Sequence, residues 1–309
     1  MKRKILQILG RSDWLRFGLR DRIIRYAHNP DTSSPENFTI SFYGATYKGN
    51  FDNFIDWSVF YYGAYAKEEL RLFDDFLQTI DNPVVADVGA NIGHHTLFAA
   101  SRSAQVISFE PFLDVAKKLE QKIADNNLSN VVLFKNALGE KNETATYAKP
   151  KGHNAGTGSF LDDNKDRETL KLPIRVGDEV FDDYGINDVH FIKIDVEGFE
   201  PYVLRGLSNT LTRCRPIVFF EWSQNERKGS EDNNRKLFPP DYTFFQFVPD
   251  TVFMYLFRKP TYRLSLRPKK WDDGNLLALP NEYIDRIKSE KPFCSAAEQI
   301  IRATEKVTE

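Results

Sequence analysis

The chain predicts a doubly wound α/β fold with a mostly parallel sheet, and three observations carry that expectation. Short runs rich in β-branched and aromatic residues recur at 84–88, 105–110, 130–134, 189–194 and 216–221, with helical periodicity between them. Such alternation builds a parallel sheet covered by helices on both faces. Asp87, Glu110 and Asp195 fall at the ends of three of these runs. Ligands of such sheets bind at the carboxyl ends of the strands, so three acids share the edge where a site belongs.

The elements follow in order. Ser12 and Asp13 are placed to cap a helix running to Tyr26, with Leu15, Leu19 and Ile23 on one side and basic residues on the other. We read it as packed on the domain rather than laid on a membrane. Phe38, Ile40 and Phe42 alternate with polar residues, and Gly44 breaks the run before Thr46 to Gly49, which reads as a hairpin. Glu68 to Ile80 has helical periodicity. The expected organisation is an N-terminal helical and hairpin extension over 1–80, a main domain over 81–282 and a helical tail over 283–309. A net charge of −2 offers neither nucleic acid nor an anionic bilayer a strongly basic partner. Two cysteines, Cys214 and Cys294, are too few for a disulfide framework and read as reduced thiols of a cytoplasmic protein. Ile5 to Leu9, behind Lys2-Arg3-Lys4, is too short for a signal-peptide core or a membrane span.

The most informative stretch is Val84-Val-Ala-Asp-Val-Gly-Ala-Asn-Ile-Gly93. A buried strand passes into a turn whose Gly89 and Gly93 let the backbone bend sharply and lie against a ligand, and a helix follows. That arrangement suits a nucleotide-like cofactor. A dinucleotide turn would read G-x-G-x-x-G, whereas this one reads Asp87-x-Gly89-x-Asn91-x-Gly93. A carboxylate ahead of the first glycine repels a diphosphate and suits an ammonium group. Glu110 follows one strand–helix–strand unit later, where an ionised carboxylate can accept from both ribose hydroxyls.

At this point the chain resembles FkbM-type S-adenosylmethionine-dependent methyltransferases. The resemblance rests on Asp87-Val-Gly-Ala-Asn-Ile-Gly93, Phe109-Glu110-Pro111, Asn136-Ala-Leu-Gly139 and Ile192-Lys-Ile-Asp-Val-Glu-Gly198. Tyr62-Gly-Ala-Tyr65 with Lys67-Glu-Glu69, and the terminal Asn275-Leu-Leu-Ala-Leu-Pro280, extend it over roughly residues 40–282. It implies a Rossmann-like, seven-stranded class I methyltransferase sheet, S-adenosyl-L-methionine as cofactor, and methyl transfer to a hydroxyl of a sugar, glycan or natural product. It also implies that Asn136 and Ala137 lie beside the adenine. The loop at 150–166, which contains Gly152 to Ser159, is expected to be a lid near cofactor and acceptor.

The chemistry concentrates in Phe191 to Glu200. A lysine inside an apolar strand needs a carboxylate, so Lys193 should meet Asp195 or Glu221. A sugar hydroxyl is a weak nucleophile that a positioned base would help. Asp195 is the first choice, with Lys193 and Glu197 tuning or orienting it, and Glu197 alternatively capping the next helix. His153 in the polar loop is the alternative base. His94 and His95 read as capping or packing residues, and His190 as structural. Trp222 reads as a sugar platform or as packing, and packing is the commoner fate of such a ring. Asp195, Glu197 and Glu221 could bridge a divalent cation, though no spacing compels one and none is expected. The acceptor pocket is expected from 150–166 and the aromatic segment 222–272. Two other classes stay open: a nicotinamide oxidoreductase, disfavoured by the turn, and a catalytically silent scaffold, disfavoured by Asp87, Glu110 and the Lys193–Glu197 set. The sequence names neither the acceptor nor an oligomeric state.

Overall fold

The computed structural model describes residues 2–12, 15–149, 158–161, 167–222, 234–250, 261–267, 273–289 and 294–305. Its N-terminal part contains α1 (Lys2–Gly10), α2 (Phe17–Ala27), the hairpin β1 (Asn37–Phe42) and β2 (Ala45–Asn50), α3 (Phe54–Tyr62) and α4 (Lys67–Leu77). The alternating part begins with β3 (Val84–Val88), α5 (His94–Ala100), β4 (Gln105–Phe109), α6 (Leu113–Asp125) and β5 (Val131–Phe134). A small insertion follows, with β6 (Ala137–Gly139), β7 (Glu143–Ala148) and β8 (Thr169–Val176) leading into α7 (Gly177–Asp183). Next come β9 (Phe191–Ile194), α8 (Glu200–Gly206), α9 (Ser208–Arg213) and β10 (Ile217–Trp222). The chain closes with β11 (Tyr242–Asp250), β12 (Thr261–Leu266), β13 (Gly274–Pro280), α10 (Asn281–Ser289) and α11 (Ser295–Glu305).

The main sheet runs β12-β11-β13-β10-β9-β3-β4-β5. Strands β3, β4, β5, β9 and β10 are parallel, and β13 enters antiparallel between β10 and β11. This is the doubly wound, mostly parallel α/β sheet that the sequence predicts. The difference is an eighth strand, β12, paired antiparallel to β11 at the edge. Its partner β11 carries Pro249, and a two-stranded excursion from the edge is a place where proline is tolerated.

Side-chain alternation along the strands feeds two cores. Val85, Phe191, Phe219, Leu277 and Phe245 join one core with α4, α5 and α6, while Ala86, Ile192, Val218, Ala278 and Phe244 join the other with α7, α8 and α9. The first core also holds Phe42, Tyr47 and Trp57 from the extension and Ile284, Ala297 and Ile300 from the tail. Extension, main domain and tail therefore bury their apolar faces together.

The N-terminal helices differ from expectation. Helix α2 begins at Phe17 with Arg16 before it and no side-chain cap, while Ser12 Oγ donates to the Ile8 carbonyl at 2.6 Å. Ser12 thus closes α1, and Asp13 lies outside the described residues. Helix α3 was not foreseen, because Phe-Ile-Asp-Trp-Ser-Val-Phe-Tyr-Tyr has no polar stripe and is buried nearly all round. Asn53 Oδ1 caps it by accepting from Ile55 N and Asp56 N, and Gly63 ends it at φ 88°.

Behind α3 lies a buried polar cluster. Asp56 accepts from Tyr47 Oη at 2.7 Å and from Asn50 N at 2.9 Å, and Lys122 Nζ is 3.3 Å away. Lys122 Nζ also donates to the Ile92 carbonyl at 3.1 Å, so this cluster ties the extension to the turn after β3. No described helix is long and apolar enough to cross a membrane.

Candidate active site

The chain enters the main sheet at its middle. It winds outward through β4 and β5 and returns to place β9 on the other side of β3, which leaves a crevice at the switch point. Asp87 and Lys193 are direct neighbours across β3 and β9. Gly89 and Ala90 both donate their backbone N–H to the Phe109 carbonyl, which folds the turn over the tip of β4. Gly89 has φ +79°, and a Cβ there would stand 1.9 Å from the Asp195 carbonyl oxygen, so only glycine lets the two tips touch.

Two chambers open on this crevice. The first, about 660 Å³, is walled by Val88, Gly89, Asn91, Phe109, Glu110, Ala137, Leu138, Tyr147 and Phe199. The second, about 800 Å³, is walled by Phe54, Tyr65, Glu69, His95, Lys193, Phe219, Glu221 and Asn275. Asn91, Asp195 and Glu197 line both. A ligand in one chamber can therefore meet a ligand in the other at these three residues.

Glu110 is held by two backbone amides. Oε2 accepts from Asn91 N and Oε1 from Phe112 N, each at 2.9 Å, which leaves each oxygen a lone pair for a further donor. Burial pushes its carboxyl up to about 7, against the pull of those two amides and of Lys193.

Lys193 is buried at the junction. Its Nζ donates to the Gly89 carbonyl at 3.0 Å and lies 3.4 Å from Asp195 Oδ2 and 3.5 Å from Asp87 Oδ1. Burial works to lower its pKa, but Asp195, Asp87 and Glu69 outweigh it and hold the ammonium above its ordinary value. Lys193 is thus a fixed cation that joins the turn to Asp195. Of the two carboxylates expected to meet it, Asp195 does so, and Asp87 is the further partner.

The other sequence-derived residues are placed as follows. Asp87 stands behind the chambers, 1 % exposed, accepting from Thr96 Oγ1 at 2.6 Å. Asn136 turns its amide to the Ala137 carbonyl at 2.9 Å, while Ala137 itself reaches the first chamber. Gly93 leads into α5 with φ +87°, where a Cβ would meet Leu119 at 2.3 Å. Glu197 sits at φ 53° on the shared rim. Helix α8 has no side-chain cap; the turn before it is bound by Glu200, whose Oε1 accepts from Val196 N and Gly198 N. His153 lies outside the described residues. His190 Nδ1 accepts from Val84 N at 3.1 Å, and His94 Nε2 from Tyr65 N at 3.2 Å. Trp222 is 3 % exposed and packs edge-on to Phe220, which rules out a sugar-stacking face.

The described walls of the second chamber come from α3, α4, α5 and the tips of β9, β10 and β13. Much of 150–166 and 222–272, from which an acceptor pocket was expected, lies outside the described residues, while Gly158 and Phe160 line the first chamber. Tyr65, Glu69, His95 and Asn275 were not read as site residues, although three of them lie inside motifs already singled out. Tyr65 is surrounded by acid: burial first, then Glu69, Asp195, Glu197 and Glu221, pushes its hydroxyl up to about 12. Among the described residues no group of three or more His, Cys, Asp or Glu is placed to hold a metal ion.

The first chamber fits a nucleoside bearing a positive charge. Its described wall carries Glu110, Asp195 and Glu197 but no lysine or arginine, so a pyrophosphate would find repulsion there. Val88, Phe109, Ala137, Leu138 and Phe199 offer an apolar slot for a base.

Comparisons with known proteins give the family. Residues 87–264 match the family model of the Methyltransferase FkbM domain. The chain is 28% identical over 172 residues to AMB antimetabolite synthetase AmbE of Pseudomonas aeruginosa, covering 44% of this chain and 8% of that one. It is also 28% identical over 138 residues to hexuronic acid methyltransferase AglP of Haloferax volcanii, covering 45% of this chain and 55% of that one. The chain thus spans about half the length of one curated relative and a small part of the other. Methyltransferase FkbM from Methylobacillus flagellatus is similar at 17% identity and a TM-score of 0.39, over 64% of this chain and 43% of that one.

Proposed function

The chain belongs to the FkbM methyltransferase family, and from that premise we propose that it moves a methyl group from S-adenosyl-L-methionine to a hydroxyl of a carbohydrate or ring-bearing natural product. The observation that carries this reading is the pair of chambers sharing Asn91, Asp195 and Glu197. In-line displacement needs donor and acceptor in separate compartments that meet along one line, held close and shielded from water.

In this reading the first chamber holds the adenosyl part. Glu110 accepts from the ribose hydroxyls, and Ala137 and Leu138 lie against the base. The cofactor supplies an electrophilic methyl on a sulfonium. Asp195 and Glu197 place carboxylates where that positive charge would face the second chamber. Lys193 fixes Asp195 there, and Asp87 and Thr96 fix Lys193 and the turn from behind. The acceptor ring lies in the second chamber against Phe54, Tyr65 and Phe219, with its hydroxyl aligned by Asp195. Relatedness to a hexuronic acid methyltransferase supports a sugar acceptor.

Calorimetric titration of the full chain with S-adenosylhomocysteine and with NAD tests the reading. Binding of the first alone is expected. Binding of NAD alone would replace the reading with a nicotinamide one, and binding of neither would favour a silent scaffold.

A further inference from the structure

Resting on the reading that the second chamber holds the acceptor, we propose that His95 takes the acceptor hydroxyl's proton, with Glu69 and Asn275 as its positioning residues. The geometry is a hydrogen-bonded chain across three elements. Asn275 Nδ2 on β13 donates to Glu69 Oε1 on α4 at 2.9 Å, and Glu69 Oε2 faces His95 Nε2 on α5 at 3.2 Å. All three residues line the second chamber, and His95 is 8 % exposed.

The carboxylate fixes the tautomer. Facing Glu69, Nε2 carries the hydrogen, so Nδ1 holds the lone pair. Among the described residues nothing hydrogen-bonds Nδ1. A base oriented by a carboxylate, itself held by a third group, is the arrangement that general-base catalysis uses.

The other groups around His95 suit a proton that arrives there. His94 beside it stays neutral, since burial and then His95, Lys122 and Lys193 push it well below its ordinary value. From the neighbouring elements Glu69, Tyr65, Asp195, Glu197 and Glu221 face the same space, with Lys193 as a cation already matched by Asp87 and Asp195. In the step, the hydroxyl oxygen bonds to the methyl carbon and the carbon–sulfur bond breaks with its pair left on sulfur. The hydroxyl proton passes to Nδ1. One positive charge disappears from the sulfonium and one appears on the imidazole, so the acids around the crevice stabilise the site before and after. Asp195 aligns the hydroxyl while its Oδ2 stays against Lys193.

The test has two readouts on the full chain. With ¹⁵N-histidine labelling, the His95 ring is expected as the Nε2–H tautomer, with its midpoint moved to lower pH by Glu69→Gln. A ring locked as Nδ1–H, or one untouched by Glu69→Gln, overturns the assignment. The second readout is tritium transfer from labelled S-adenosylmethionine to a panel of methyl glycosides. His95→Gln is expected to lower kcat about 100-fold or more and to abolish the basic-form limb of its pH profile, with S-adenosylhomocysteine affinity unchanged. Glu69→Gln is expected to shift that limb to lower pH, which a merely structural glutamate would not do. Wild-type turnover retained within threefold in His95→Gln removes His95 alone. A wild type that binds no S-adenosylhomocysteine, or methylates no glycoside, removes the underlying reading and this assignment with it.

Discussion

The two chambers share a rim but differ in how their walls are spread along the chain. Much of the first comes from three motifs that follow one another: the turn after β3, Glu110 at the tip of β4 and the stretch opening β6. Tyr147, Phe160 and the segment from Asp195 to Phe199 complete it. The second gathers Phe54, Glu69, His95, Glu221 and Asn275 from across more than two hundred residues. The difference separates what local chemistry dictates from what only packing can bring together. A turn that must bend against a ligand has to write its glycines and acids in order, and so it can be read. A pocket wall needs its residues near each other in space alone.

The largest expected effect tests whether the second chamber depends on the extension's buried anchor. Lys122→Met leaves Asp56 and the Ile92 carbonyl without their cation, and breaking such a buried pair costs about 3–5 kcal/mol. Chemical denaturation measures it, and a loss below about 1 kcal/mol would show that the anchor is idle.

Next is the contact both chambers share. Gly89→Ala would force a Cβ against the Asp195 carbonyl in a backbone conformation unfavourable for alanine, costing about 1–3 kcal/mol in strain and moving the tips apart. Binding of S-adenosylhomocysteine should fall below detection in calorimetry. Wild-type affinity in that variant would mean that the turn and β9 need not touch.

Glu110→Ala should weaken S-adenosylhomocysteine binding by roughly 10- to 100-fold, the worth of hydrogen bonds to a charged group, with the fold intact by circular dichroism. The pH dependence follows from the carboxyl sitting near 7. Below that pH it protonates and loses its capacity as a twofold acceptor, so affinity should drop about tenfold from pH 8 to pH 6. The stability of the ligand-free protein should move oppositely. A carboxyl raised in the folded state binds more protons folded than unfolded, so this contribution falls as pH climbs from the ordinary carboxylate range to about 7. Glu110→Gln should erase both trends, and a pH-independent affinity in the wild type would remove Glu110 from the ribose.

The smallest effect checks that the chambers are separable. Glu221→Gln, on the second chamber only, should leave S-adenosylhomocysteine affinity within about twofold. A tenfold loss would put the cofactor on the wrong side of the rim.

The sheet was legible because its strands are short apolar runs that end in acids, and both Asp87 and Glu110 could be located from that pattern. Their environments could not. Asp87 is a buried partner of Thr96 and Lys193, because strand pairing sets it opposite a lysine more than a hundred residues away. Helix α3 escaped because a helix buried all round has no stripe to detect. The eighth strand belongs to an edge excursion that the alternation does not require. His95 escaped for a related reason: its meaning lies in Glu69 and Asn275, and no spacing in the chain announces that they meet.

If donor and acceptor occupy two compartments that meet at Asp195, a crystal structure with S-adenosylhomocysteine will show ribose hydroxyls on Glu110. The sulfur will lie at the rim of Asn91, Asp195 and Glu197, facing the space between Tyr65 and Glu221. A nucleoside seated instead among Glu69, His95 and Phe219 would contradict this arrangement.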